Sequence, residues 1–242
     1  RTWMWGQSPF TDIEAEDYVE GPSGERTVLY YDKSRMEITD PAFDPDSIWY
    51  VTNGLLVNEL ITGQRQMGDS EFEPFDPAAV NVAGDPNGTT GPTYATFLDL
   101  LDAAPLDDDA VITQRVNQAG DVTVDAALGD YAVTAAERVI EDGIDHQVAS
   151  VFWDFMTSVD TVYEDGQFLE DQLFENPFYA TGFPITEAYW TTVPIAGIAQ
   201  DVLVQCFERR CLTWTPGNDP GWKVEAGNVG QHYYIWRYGA MP

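Results

Sequence analysis

Three glutamates stand where carboxylate chemistry would need them. Glu187 lies between Phe183 and the pair Tyr189-Trp190, Glu208 is followed by Arg209 and Arg210, and Glu59 interrupts an apolar run from Leu55 to Ile61. Glycoside hydrolysis uses two carboxyl groups, one protonated and one ionised, about 5–9.5 Å apart across a cleft lined by aromatics. Glu208, beside two guanidinium groups, is the candidate for the ionised partner, and burial on an apolar strand would raise the pKa of Glu59. Each acid also has a plainer role. Glu208 with Arg209 and Arg210 makes a salt-bridged hairpin tip, Glu187 caps or pairs locally, and Glu59 faces solvent from an alternating strand. With 41 Asp and Glu in the chain, three suggestive acids are weak evidence for catalysis.

Binding asks less of the sequence. Trp and Tyr stack on sugar rings while neighbouring polar groups bond the hydroxyls. Trp190, Trp214, Trp222, Tyr234 and Trp236, with Arg209 and Arg210, supply residues of that kind, although core packing competes for every aromatic. Cys206 and Cys211 face each other only if Phe207 to Arg210 form a hairpin loop, and a disulfide there closes so short a ring that it contributes about 2 kcal/mol at most. Two separate buried thiols are the alternative. Arg209 and Arg210 would lower a thiol pKa, but the disulfide reading outweighs a cysteine nucleophile.

Other chemistries lack their residues. His146 and His232 are too few and too isolated for a usual zinc site, so no metal and no cofactor is expected. There is no G-x-S-x-G elbow, phosphate-binding glycine loop or dinucleotide fingerprint. Asp85, Asn87 and Thr90 resemble part of a calcium loop without its full ligand spacing, and a solvated loop is preferred. Asn87-Gly88-Thr89 is a glycosylation sequon of a kind that arises by chance.

Against the 41 acids stand 11 Lys and Arg, giving a formal net charge of -30, and Lys33 and Lys223 are the only lysines. Such an excess argues against nucleic acid and anionic membrane surfaces as partners, since neutralising phosphates needs clustered bases. It fits either a protein working in high salt or an ordinary acidic secreted protein. No apolar run approaches the length of a membrane span, and Arg1 to Trp5 do not read as a signal peptide.

The elements that must position these residues suggest an α+β domain, mainly antiparallel β-sheet with a few inserted helices and no internal boundary over residues 1–242. Residues 1–70 read as a β meander. Trp3, Met4, Trp5, Pro9 and Phe10 form an aromatic opening, and Asp12 to Glu20 an acidic, solvated loop. Strands follow at Thr27–Tyr31, Ser34–Ile38, Ile48–Val51 and Leu55–Ile61, with Asn53-Gly54 as a hairpin turn and Gln64 to Asp69 as a fifth strand. The middle, 93–157, carries the helices. Tyr94, Phe97, Leu98 and Leu101 recur at helical spacing over Thr93 to Ala104; Ala132 to Ile140 is weakly helical; Asp145 caps a helix with Val148, Val151, Phe152, Phe155 and Met156 on one face. Between them Val111–Val116 and Val122–Val124 pair as a hairpin, and Glu164-Asp165-Gly166 turns another. Residues 182–238 hold strands Tyr189–Pro194 and Asp201–Phe207 about a turn at Ala196-Gly197. On the second strand Val202, Val204 and Cys206 share one face, and Leu203, Gln205 and Phe207 the other. A helix capped by Asn228 follows from Val229, with Val229, Tyr233 and Trp236 on one side and strand as the alternative.

The runs DVLVQCFERRCLTWTPGN, GWKVEAGNVGQHYYIWRYG, WMWG, YYDKSRMEI, YVTNGLLVNELITGQRQMGD and NPFYATGFPITEAYW cover most of the chain. Together they resemble a family of secreted proteins of unknown function from Chloroflexota-type bacteria. The resemblance implies an exported, secreted or cell-surface bacterial protein associated with the envelope, with residues preceding Arg1. It transfers no catalytic residue, and it implies that the cysteine pair is an accessory, since relatives carry apolar residues there. With the aromatic content, the exported context points to extracellular glycan binding or self-assembly into a surface layer, sheath or filament. A carboxylate-dependent glycoside hydrolase acting on an extracellular or cell-wall glycan is the alternative.

Overall fold

Alternation of large residues around the tight turn at Asp32-Lys33 folds the first half of the chain back on itself. In the computed structural model, which describes residues 4–164 and 166–242, β1 (Glu14–Asp17), β2 (Glu25–Tyr31), β3 (Ser34–Ile38) and β4 (Thr52–Asn53) form an antiparallel sheet in chain order. Trp3 of the aromatic opening and Asp165 of the expected turn lie outside the described residues. Helix α1 (Leu56–Thr62) follows, then the short ribbon β5 (Gln64–Gln66) and β6 (Phe72–Pro74), and a 3-10 segment at Tyr94–Leu100. The hairpin β7 (Gln114–Val116) and β8 (Val122–Val124) precedes a second ribbon, β9 (Ala135–Glu141) and β10 (Ile144–Ala149), which runs into α2 (Ser150–Met156). A third ribbon, β11 (Val159–Glu164) and β12 (Gln167–Gln172), leads to β13 (Tyr189–Ile195), β14 (Ile198–Cys206), β15 (Cys211–Trp214), β16 (Val224–Ala226) and α3 (Val229–Tyr238). The fold is α+β and mainly antiparallel, as the patterning predicts.

The organising layer is a six-stranded sheet of order β16-β15-β14-β13-β7-β8, in which only the β13–β7 contact is parallel. Side chains alternate along β14, and both faces are buried. Val202, Val204 and Cys206 enter a core with Val28, Tyr30, α1, Phe97 and Tyr233. Leu203 and Phe207 enter a second core with Ile112, Val148, Phe152 and Met156 of the β9–β10–α2 unit. Gln205 shares that second face with its buried amide fully hydrogen-bonded. Its Nε2 donates to the carbonyls of Gln147 and Thr186 at 2.6 and 3.0 Å, and its Oε1 accepts from Ala149 N at 3.0 Å, so every polar atom is bonded.

Several expectations fail, the first because a short apolar run carries both periods at once. Leu55–Ile61 is helix, because Leu56, Val57, Leu60 and Ile61 make a buried helical stripe and Gly63 ends it at φ 68°. The first amides of α1 find the carbonyl of Glu208, with Val57 N and Asn58 N donating at 3.1 and 3.0 Å. Ile48–Val51 forms no strand, and Gly54 leads into α1 rather than turning a hairpin. Asp12–Glu20 contains β1, with Glu16 buried, where a solvated loop is expected. Residues 135–141 are strand, and Asp145 is no cap: it lies in β10 opposite Ile140 and accepts from Arg138 at 2.8 Å. Helix α2 is therefore confined to seven residues, and the expected helix at 93–104 shortens to a 3-10 segment.

Close backbone approaches fix the C-terminal region. Gly230 has no room for a side chain: a Cβ there would stand 2.0 Å from Tyr31 O, and its amide donates to Asp32 O at 3.0 Å. This seats α3 on the β2–β3 turn. Asn228 precedes the helix without a side-chain cap. Cys206 and Cys211 pair across β14–β15 and are disulfide-bonded, with Cα atoms 4.0 Å apart. The bridge ties a hairpin that the sheet already holds, whereas Trp190 is wholly buried in the second core. Reduction is expected to cost about 2 kcal/mol or less, and Trp190→Ala about 3–5 kcal/mol, both read from urea denaturation.

Candidate functional site

The three sequence candidates for carboxylate catalysis do not converge. Glu187, buried in the second core, accepts from Gln147 N at 3.0 Å, Leu106 N at 3.1 Å and His146 Nδ1 at 3.1 Å; His146 Nε2 lies 3.1 Å from Leu101 O. Glu187 thus joins the 101–106 segment to β10, and both ring nitrogens of His146 are occupied. Glu208 accepts from Phe183 N at 3.0 Å, and the chain passes close beneath it at Gly182, whose φ is 70° and whose Cβ would lie 2.7 Å from the Glu208 carboxylate. The salt-bridged tip is not what holds this hairpin. Arg209 donates to the carbonyls of Phe178 and Tyr179, and Arg210 to those of Ala180 and Met4.

Glu59 is buried on α1, not solvent-exposed on a strand, in an ionic network between the first sheet and α3. Arg35 is wholly buried and contacts Glu16, Glu37 and Glu59 at 3.4, 2.6 and 3.2 Å. Arg26 and Arg237 complete it, each near Glu16, at 3.5 and 3.4 Å. Three guanidinium groups thus face three carboxylates. Tyr30 and Tyr238 donate to Glu16 at 2.5 and 2.9 Å, and Tyr233 to Glu59 at 2.5 Å. Glu16 Oε2 has no directed hydrogen bond and is held by charge alone. Burial pushes the Glu16 carboxyl up, but Arg35, Arg237 and Arg26 outweigh it and bring its pKa down to about 2. For Glu59 burial prevails over Arg35 and Tyr233, and its pKa is raised.

The sequence aromatics do not make a platform. Trp190 is fully buried, stacks on Tyr131 at 4.8 Å and donates to Ile112 O at 2.8 Å. Trp214 packs edge-on against it at 5.8 Å, half-buried, with Lys223 over its ring. Tyr234 is buried against Phe10 and Tyr30. Trp236 packs on Phe75 and donates to Asp76 O at 2.8 Å. Trp222 is exposed but forms no ring pair with the others. Arg210 is wholly buried, so it is unavailable to a ligand.

A different set of rings meets at solvent. The outer face of β2 and β3 carries Thr27, Leu29 and Tyr31 opposite Ile38, Met36 and Ser34, and most of these side chains remain part-exposed. All of these but Ser34, together with Val51, Ile13, Trp5 and Tyr179, line a groove of about 460 Å³. Trp5 and Tyr179 also wall an adjoining cavity of about 360 Å³ with Ile48, Phe174, Glu175 and Asn176. The two rings meet edge-on at 6.1 Å, Phe174 lies 6.4 Å from Trp5, and exposed Trp49 lies 5.6 Å from Tyr179. Arg209 is the one sequence candidate at this site, with its guanidinium 6.0 Å over Trp49; Arg210 lies 4.9 Å over Trp5 from the buried side. Tyr179 is fixed by donating to Val51 O at 2.7 Å. The indole N–H groups of Trp5 and Trp49 have no hydrogen-bond partner among the described residues. No metal-binding group of His, Cys, Asp and Glu occurs among them either, and no helix is long and apolar enough to cross a membrane. The sequence signal for this groove was the WMWG opening, which reads more readily as core packing or a pinned terminus than as a ligand platform.

No family model matches the chain, and no curated protein or solved structure matches it significantly.

The network and the surface charge each give an expectation. Glu16→Gln leaves buried guanidinium groups underpaired and is expected to cost about 3–5 kcal/mol near neutral pH. The folded pKa of Glu16 lies below its unfolded value, so its contribution is full above about pH 4.5 and is lost as pH falls towards about 2; Glu16→Gln removes that part of the pH dependence, read by denaturation across this window. Of the eight arginines described, five are in the network or on backbone carbonyls, and Arg65, Arg115 and Arg138 pair with surface acids. The formal charge of -30 is therefore little relieved at the surface. The midpoint of thermal unfolding is expected to rise between about 0.1 and 2 M NaCl as self-repulsion is screened.

Proposed function

We propose that this chain is an exported, envelope-associated binding protein that holds a glycan against the Trp5–Tyr179 groove and the adjacent Trp49 ring. One observation carries the reading: Trp5 and Tyr179 line an open groove with exposed Trp49 against Tyr179, and both indole N–H groups are without a partner among the described residues. Rings offer apolar faces to the C–H side of a sugar, and the indole N–H groups, Glu175 and Asn176 bond hydroxyls. Asn176 Oδ1 accepts from Phe178 N at 2.9 Å, which leaves its amide N–H₂ for a ligand. The disulfide supports an oxidising compartment outside the cytoplasm, in keeping with the family resemblance. The hydrolase reading has less support, since Glu59, Glu187 and Glu208 serve separate networks and none lines the groove. Assembly through the exposed edge of β1 is disfavoured by its acidic sequence, Glu14-Ala15-Glu16-Asp17.

Affinity electrophoresis on bacterial and plant glycans, at low and high salt, tests this. Retardation by a retained glycan is expected to weaken about tenfold in Trp49→Ala, a change at an exposed ring, and to persist in Trp222→Ala. Equal binding by wild type, Trp49→Ala and Tyr179→Ala would move the site elsewhere. No retention on any glycan, with light scattering showing polymers, would replace binding with assembly.

A further inference from the structure

The chain has two lysines, and one of them sits in a cavity. Lys33, at the β2–β3 turn, opens onto a space of about 460 Å³ between that turn, the β15–β16 hairpin, the start of α3 and the 80–86 loop. This space is separate from the aromatic groove, and Lys33 is the only lysine or arginine lining it among the described residues. Its position is set from both sides: Lys33 N donates to Trp5 O at 3.1 Å, and α3 grips Asp32 O through Gly230 and Gln231.

The donors on one side of this cavity are incompletely used. Lys33 Nζ donates to Ala226 O, which employs one of its three protons. No carboxylate among the described residues stands at ion-pair distance from it. His232 Nδ1 lies 3.0 Å from the hydroxyl of Tyr94, a buried phenol with no other partner among the described residues. Both groups are satisfied when Tyr94 donates to Nδ1, and that tautomer carries its proton on Nε2. Burial, helped by the charge of Lys33, holds the His232 pKa down to about 4, so the ring is neutral at neutral pH. Burial also lowers the pKa of Lys33 against the opposing pull of Glu225, so a negative group placed there would restore what the ammonium lost on leaving water. The Asn228 side chain, exposed at the rim, adds an amide.

The other side supplies acceptors. Glu225 uses one carboxylate oxygen, 3.4 Å from Asn218 Nδ2. Asn81 spends its amide nitrogen on the carbonyls of Asp85 and Gly88, at 3.2 and 2.7 Å, and keeps its own oxygen. Thr213 contributes a hydroxyl, and Val80, Val82 and Ile235 give the apolar wall. The volume lies within the ~300–1,000 Å³ of small-molecule sites.

From this division the geometry points to a second binding site, for a small polyhydroxylated carboxylate of the sugar-acid class, with its carboxylate on Lys33 and His232 Nε2–H and its hydroxyls on Glu225 and Asn81. This does not depend on what the aromatic groove binds. The net charge of the protein opposes an anion at long range, but at physiological salt that repulsion is screened beyond about 8 Å.

Reductive dimethylation with ¹³C-formaldehyde keeps the lysine charge and labels two side chains, Lys33 and Lys223, besides the terminal amine. Titration with D-galacturonate is expected to shift the Lys33 methyl signal and leave that of Lys223, while D-galactose, its uncharged counterpart, shifts neither. By calorimetry, Lys33→Met, which keeps most of the aliphatic stem, is expected to weaken galacturonate binding at least tenfold. Should that variant not fold, His232→Phe is expected to weaken binding as well. The proposal is overturned if calorimetry on the unlabelled protein detects no binding of galacturonate or glucuronate up to about 10 mM, if galactose binds as well, or if folded Lys33→Met binds as wild type does.

Discussion

Everything in this molecule depends on a sheet that must be covered on both sides. Strand β14 alternates Val202, Val204 and Cys206 with Leu203, Gln205 and Phe207, and neither set can be left in water. The first sheet with α1 and α3 covers one face, and β9, β10 and α2 cover the other. A register shift of one residue would exchange the two cores and place Gln205 among side chains that cannot bond it. The hydrogen bonds of Gln205 to Gln147, Ala149 and Thr186 therefore fix register as well as satisfying a buried amide.

The second constraint is the scarcity of positive charge. A chain with 11 Lys and Arg against 41 acids could have spread them over its surface. It instead places Arg26, Arg35 and Arg237 in one buried network, where α1 and α3 meet the first sheet. Arg209 and Arg210 bind the carbonyls of the 178–180 segment and back the Trp49 and Trp5 rings. A buried ion pair is a doubtful source of net stability, because desolvation offsets the attraction. Its matched charges and directed tyrosine bonds suit it better to specifying how the elements meet. The outside is left strongly acidic.

Both cavities with ligand-like chemistry flank the β2–β3 hairpin. The aromatic groove lies on its outer face, and the lysine cavity at its turn. Trp5 links them, lining the groove with its ring while its carbonyl accepts from Lys33 N. The hairpin is seated by the close contact of Gly230 with Tyr31, while the rings of Trp5 and Tyr179 and the 80–86 segment come from loops packed against it.

Strands with unbroken alternation, such as β2, β3, β13 and β14, were legible in the sequence, as were the C-terminal helix and the cysteine hairpin, because local period and turn residues decide them. The identity of Leu55–Ile61 was not, since seven apolar-rich residues satisfy both periods and the Glu208 carbonyl settles the matter from 150 residues away. The exposed-looking acid Glu16 is likewise buried only because three distant arginines accept it. Of the named binding aromatics, Trp190, Tyr234 and Trp236 went to packing, while Trp5 and Tyr179, which were not among them, share a groove with Trp49 against its edge. By itself the sequence determined the fold class, the acidic character and the residue types available for chemistry, all properties of composition and local pattern. Only the tertiary structure decided which aromatics and which lysine reach solvent together, because that choice is made by contacts between segments that the chain order keeps apart.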